Sequence, residues 1–128
     1  MADEIDIIHD SHGQPRLMVL TDGRIVNFRG SSVGFLDFTN VYNYKGNHCG
    51  WYEGGILRDH DGNCVGFGEL ISDAVHPPFP AKKVRPIPSL VEVELPRPGI
   101  KINPPAPQKS ANWSTYTLIA LFLQTPQG

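Results

Sequence analysis

The sequence predicts an all-β fold: an antiparallel meander of four β-hairpin repeats with pseudo-fourfold symmetry, closed as a β-flower-like ring or very small barrel and followed by an extended Pro-rich tail. Three observations carry this expectation. Six positions recur at an interval of sixteen across three copies: Ile25/Val41/Leu57, Asn27/Asn43/Asp59, Phe28/Tyr44/His60, Gly30/Gly46/Gly62, Gly34/Gly50/Gly66 and Phe35/Trp51/Phe67. Agreement of that kind is the mark of a repeated supersecondary unit. Eleven of the 13 glycines lie between Gly13 and Gly68, whereas ten of the 12 prolines lie between Pro77 and Pro107. The chain has 128 residues, and turn signals punctuate its front half so closely that no crossover helix fits.

The first unit is a degraded copy, IIHDSHGQPRLMVL at 7–20, with Gly13 seventeen residues before Gly30 and Asp10 three residues ahead of its turn glycine. It lacks the second glycine, because Leu17 holds that offset. In all four units a tight turn separates two short strands: His12-Gly13, Arg29-Gly30, Lys45-Gly46 and Asp61-Gly62 put glycine where such turns need positive φ. Between units the chain turns at Asp22-Gly23, Asp37–Asn40 and Glu53-Gly54-Gly55, which gives roughly eight strands of about four to six residues. The second glycine of units two to four suits a place where strands crowd or bend. After the hairpins, Glu69–Ile71 reads as one helical turn, and Val91-Glu92-Val93-Glu94 alternates as an edge strand would.

Composition divides the chain into a four-hairpin domain at 1–75, a basic Pro-rich extended tail at 76–111 and an apolar docking segment at 112–128. Residues 1–76 carry five Lys/Arg against eleven Asp/Glu, residues 77–109 carry six against two, and nothing beyond is charged. An acidic body with a tethered basic tail favours self-docking or contact between subunits. Six cations spread without interleaved aromatics make a poor nucleic-acid interface. The run around Leu118–Leu123 is too short for a membrane span. A body this small buries too little apolar surface alone, so the segment WSTYTLIALFL at 113–123 is expected to pack on it or on a neighbouring subunit. Cys49 and Cys64, with an acidic start that lacks a secretory pattern, indicate free thiols in the cytoplasm.

The body resembles the four-fold β-flower domain of small bacterial and phage-associated proteins. The matching residues are IIHDSHGQP at 7–15, DGRIVNFRGSSVGFL at 22–36, VYNYKGNHCGWYEGG at 41–55 and ILRDHDGNCVGF at 56–67. The basic, Pro-rich tail ending in NWSTYTL at 112–118 is similar to the family's arrangement, with a single Trp-Ser pair where a second is expected. The resemblance implies the fold and no activity, since the family has no established general function.

Chemistry is sparse. His9, Asp10 and His12, and again Asp59, His60 and Asp61, cluster in sequence but surround turns, so strand alternation separates neighbours and no metal site is expected. DHDGN has the wrong register for a calcium loop. Cys49 shares its offset with Val33 and Val65 and reads as core, while Ser31 and Ser32 have no His–Asp pair tied to them by spacing. Phosphate-loop and dinucleotide glycine patterns are absent, so no cofactor is expected. What remains is the symmetry itself. Asp10, Asn27, Asn43 and Asp59 occupy equivalent positions, either as turn residues satisfied by local backbone or as a polar ring around the pseudo-axis. Arg58 beside them has Val26 and Tyr42 as counterparts, and Tyr44 and His60 are ring positions flanking the same turns. These seven are the candidate binding residues.

The leading functional reading is a non-catalytic binding module that self-assembles into a homo-oligomer through its tail. A second is a binder of a small anionic, nucleotide-like ligand, held by aromatic and amide groups with Arg24, Arg29 or Arg58. A third is a small hydrolase using His60 with Asp59 or Asp61.

Overall fold

The computed structural model describes residues 2–100 and 103–123. Eight strands follow one another in chain order: β1 (Glu4–His9), β2 (Pro15–Leu20), β3 (Arg24–Asn27), β4 (Ser32–Asp37), β5 (Asn40–Tyr42), β6 (His48–Glu53), β7 (Ile56–Arg58) and β8 (Cys64–Phe67). Each pairs antiparallel with the next, and β8 returns to β1 to close a barrel. The all-β hairpin-repeat fold expected from the sixteen-residue period is therefore the fold observed. Register shifts recur at Ile8/His9, Ile25/Val26, Val41/Tyr42 and Leu57/Arg58, at the same place in each unit, and the first unit has another at Glu4/Asp6. The bulges bend the strands enough for so small a barrel to close.

The interior is filled by side chains, with no room for a lumen. Ile8, Ile25, Val41 and Leu57 form one equivalent set, and Cys49 and Val65 another, all buried in a single cluster. Gly50 shows why the second glycine of a unit is small: a Cβ there would sit 2.0 Å from the Arg58 carbonyl oxygen across the sheet. One end of this core is capped by a short helix, α1 (Leu118–Phe122), whose Leu118, Leu121 and Phe122 join the same cluster. Thr117 caps its N-terminus by accepting from the Ala120 amide at 3.1 Å. The expected helical turn at Glu69–Ile71 is a pair of bends, and Val91–Glu94 is not a strand.

The Pro-rich segment circles the barrel as a belt. It meets each hairpin turn once, in order: the carbonyls of Ala81, Leu90, Gly99 and Gln108 lie against Gly13, Gly30, Gly46 and Gly62. Those four belt residues are nine apart. Two residues beyond three of these stations, an amide donates to the same glycine's carbonyl: Lys83 to Gly13 at 2.9 Å, Glu92 to Gly30 at 2.8 Å and Ser110 to Gly62 at 3.1 Å. A turn glycine here does two things. Its positive φ, +91° at Gly30, makes the turn, and its missing side chain admits the belt, since a Cβ would stand 2.0 Å from the Leu90 oxygen.

The belt also covers the barrel's seam. β1 and β8 share one paired position, His9 opposite Phe67. A column of four stacked rings crosses it: His9 on Phe67 at 5.2 Å, Phe67 on Phe79 at 4.2 Å, and Phe79 on His76 at 4.4 Å. Trp113 packs edge-on against Phe79. The charge asymmetry of the sequence is met within the chain, through Arg85–Glu4, Lys82–Glu69 and Lys109–Asp73.

Candidate functional site

The four equivalent Asp and Asn residues stand at the turn end of the barrel, and each does the same work. Asp10 Oδ1 accepts from the amides of His12 (2.9 Å) and Gln14 (3.0 Å). Asn27 Oδ1 accepts from Arg29 and Ser31, both at 3.0 Å. Asn43 accepts from Lys45 (3.0 Å) and Asn47 (3.1 Å), and Asp59 from Asp61 (2.9 Å) and Asn63 (3.0 Å). One side-chain oxygen thus organises a five-residue turn by satisfying two amides that the tight loop leaves without backbone partners. The four oxygens serve their own turns.

What the second side-chain atom does divides the four into two pairs. Asn43 Nδ2 donates to the Phe122 carbonyl at 3.2 Å, and Asp59 Oδ2 accepts from the Ser114 hydroxyl. Both lie under the C-terminal segment and are buried. Asp10 and Asn27 do not. They line an open cleft of about 990 Å³ between the first two turns and the segment around α1. Leu17, Val65, Leu118 and Phe122 contribute apolar lining, and Phe28, Trp113 and Tyr116 contribute rings. The charged groups at this cleft are Asp10, Arg16 and Arg29, with His12 beside them. Arg16 Nε donates to Asp10 Oδ2 at 2.9 Å. Burial tends to raise the Asp10 pKa, but the bonds from Arg16, Gln14 and His12 outweigh it and hold the carboxyl below its usual range. The Arg29 guanidinium has no partner among the described residues.

The other three candidates lie elsewhere. Arg58 is buried, and its guanidinium donates to the carbonyls of Gly62 and Ser110, each at 2.8 Å, to the Val75 carbonyl, and to Asp73 at 3.5 Å. Its partners are the belt's two ends, which is why only the fourth unit carries it. Arg24 is likewise engaged, by Asp22 at 2.8 Å and the Glu92 carbonyl at 3.2 Å. Tyr44 donates its hydroxyl to Glu94 on the belt; burial and that carboxylate push the phenol up to about 12. His60 stacks on His48, with His48 Nδ1 2.9 Å from His60 Nε2 and His48 Nε2 3.0 Å from Asn40 Oδ1. Burial, reinforced by His60, lowers the His48 pKa to about 4. His60 has no carboxylate partner among the described residues, and Asp59 is engaged by its turn and Ser114. Cys49 and Cys64 form no disulfide and are buried on opposite faces of the sheet, and burial raises both thiols to about 12.

Sequence reasoning missed the cleft and the belt stations. The cleft exists because a five-residue helix covers half of a fourfold end, and nothing in the repeat says which half. The stations fall nine residues apart, at Ala81, Leu90, Gly99 and Gln108, but these residues share no chemistry and so left no signal to read.

A closed antiparallel barrel of four hairpins, each turn pinned by an Asp or Asn, defines a small fourfold β-repeat protein. Residues 6–122 match the family model described as 4-fold beta flower protein, and the chain belongs to that family. No curated protein and no solved structure matches the chain. Among the described residues, no helix is long and apolar enough to cross a membrane.

Proposed function

We propose that the protein is a non-catalytic binding module that associates with copies of itself through the outer face of its belt. One observation carries this reading. Val84, Ile87, Leu90 and Val93 are 91%, 94%, 94% and 94% exposed, while the Glu94 carboxylate next to Val93 turns to Tyr44 and Arg97. At this point of the segment the apolar side chain of Val93 faces out and the carboxylate of Glu94 faces the barrel. A monomer gains nothing from that arrangement.

The favoured occupant of the stripe is a second belt. The amides of Ser89 and Glu92 donate inward to Phe28 and Gly30, which leaves the belt's outer edge for strand addition. Two such edges running antiparallel are self-complementary, as a twofold contact requires. Burying four such side chains is worth about 1.5–3 kcal/mol each, the same order as the ~4–15 kcal/mol that association costs. A concentration-dependent oligomer is therefore expected. The non-catalytic half of the reading is supported by buried thiols, by Asp59 held in its turn, and by His60 paired with His48. Two buried cysteines that form no disulfide also suit a reducing compartment such as the cytoplasm.

Sedimentation velocity across micromolar concentrations tests this. The wild type should shift to a larger species as concentration rises, and Ile87→Lys/Val93→Lys should remain monomeric with unchanged circular dichroism. A wild type that is monomeric throughout, or a double variant that associates equally well, would overturn the proposal.

A further inference from the structure

We infer that the cleft between the first two hairpin turns and the C-terminal segment is a binding site for a nucleoside monophosphate. This goes beyond the self-association reading and does not depend on it. The fold's symmetry provides the starting point. Four equivalent turn ends exist, and the C-terminal segment closes the third and fourth through Phe122 and Ser114. Asp10 and Asn27 face an open cleft. Its volume of about 990 Å³ lies within the range of about 300–1,000 Å³ typical of small-molecule sites.

The chemistry at its edges is selective. The barrel body is acidic, yet this cleft has two guanidinium groups against one carboxylate, and that carboxylate is already paired with Arg16. Arg29 is exposed and has no partner among the described residues. Asn27 uses only Oδ1 in its turn, so its amide nitrogen adds a second donor to the cleft that Arg29 lines. Two donor groups without partners among the described residues, lining one cleft, suit a phosphate. The apolar and aromatic lining, with Leu17, Phe28, Tyr116 and Leu118, is too extensive for phosphate alone and suits the flat ring of a base. A nucleoside monophosphate carries both halves at this scale. Two arginines are too few for a longer polyanion.

The test is isothermal titration of the full chain with adenosine, guanosine, cytidine and uridine 5′-monophosphates, with adenosine and inorganic phosphate as separate arms. At least one monophosphate should bind saturably, and adenosine and phosphate should each bind at least about tenfold more weakly. Arg29→Glu should weaken binding by about tenfold or more without loss of fold. Lys45→Glu is the control, because Lys45 is the equivalent residue sixteen positions on, at the covered third turn; it should bind as the wild type does. Tyr116→Ala, at an exposed ring, should weaken the monophosphate and leave any phosphate binding unchanged. Absence of saturable binding by all four monophosphates, phosphate binding as tight as theirs, or equal damage from Lys45→Glu would each overturn the inference.

Discussion

Arg58 Nη1 lies 2.8 Å from the carbonyl oxygen of Ser110, across 52 residues of chain. The same guanidinium donates to Val75 and approaches Asp73, where the belt begins. One side chain therefore holds both ends of a segment that encircles the molecule. Lys109 reinforces the closure from the far end, 2.9 Å from Asp73. A planar group with five donors is the residue type that can serve several oxygens at once.

Arg58→Met should be among the most destabilising single changes in the protein. It leaves Asp73, which is 7% exposed, without the guanidinium, and leaves the Ser110 and Val75 carbonyls without their donor. Lys109 still pairs with Asp73, so the main loss is the charged donor to these carbonyls, about 1.5–3 kcal/mol for each bond. Urea unfolding should show a loss on that scale, with Arg58→Lys recovering only part of it. A loss below about 1 kcal/mol would place Arg58 outside the closure.

Gly30→Ala and Gly23→Ala share a backbone penalty, since φ is +91° at one and +89° at the other. That penalty is about 1–2 kcal/mol. They differ in what a Cβ would meet: the belt carbonyl of Leu90 at 2.0 Å for Gly30, against the Leu36 carbonyl at 3.3 Å for Gly23. Gly30→Ala should cost a further ~1–3 kcal/mol for overpacking and should expose the belt to protease. Equal costs would mean that the belt does not press on the turn.

Asn27→Asp should be nearly neutral, because the turn uses only the oxygen that Asp also supplies, as Asp10 and Asp59 do. Asn43→Asp should not be. Asn43 donates to the Phe122 carbonyl, and a carboxylate there would face that oxygen with no proton to offer. A cost of about 1–3 kcal/mol is expected, together with loosening of α1. Thermal unfolding of the two variants side by side measures the difference.

His48 should stay neutral through the physiological range, because its pKa is lowered to about 4 from an ordinary 6.5. A histidine whose pKa is depressed by folding stabilises the protein above its unfolded value and loses that contribution as pH falls toward the folded one. Stability should therefore decline between about pH 6.5 and 4 in the wild type, and less steeply in His48→Gln. NMR should find no His48 titration above about pH 5. A ring that protonates near 6.5 would contradict the stacked, neutral pair.

The barrel was legible because its repeat is written in side chains. Gly46, Gly50 and Trp51 recur at fixed offsets since a turn, a crowded crossing and a ring position each demand a particular residue type. Cys49 likewise proved to be core, as its shared offset with Val33 and Val65 indicated. The belt was less legible, because it docks by backbone carbonyls that any residue supplies; Ala81, Leu90, Gly99 and Gln108 have nothing else in common. Val91–Glu94 alternates as an edge strand does, yet it is held by Tyr44 on the Glu94 carboxylate and Arg24 on the Glu92 carbonyl and forms no strand. Arg58 stood out as a symmetry-breaking cation, yet its partners are main-chain oxygens far along the chain and left no trace in sequence.

The most direct test of the encircling belt is hydrogen exchange at single-amide resolution along residues 82–112. Lys83, Glu92 and Ser110 donate to the turn glycines Gly13, Gly30 and Gly62, whereas Val84 and Val93 make no amide hydrogen bond among the described residues. Protected amides at those three positions and at Ser89, which donates to the Phe28 carbonyl at 2.9 Å, in a segment with no regular secondary structure, are the expected result. Uniformly fast exchange along the segment would show that the belt does not hold the barrel.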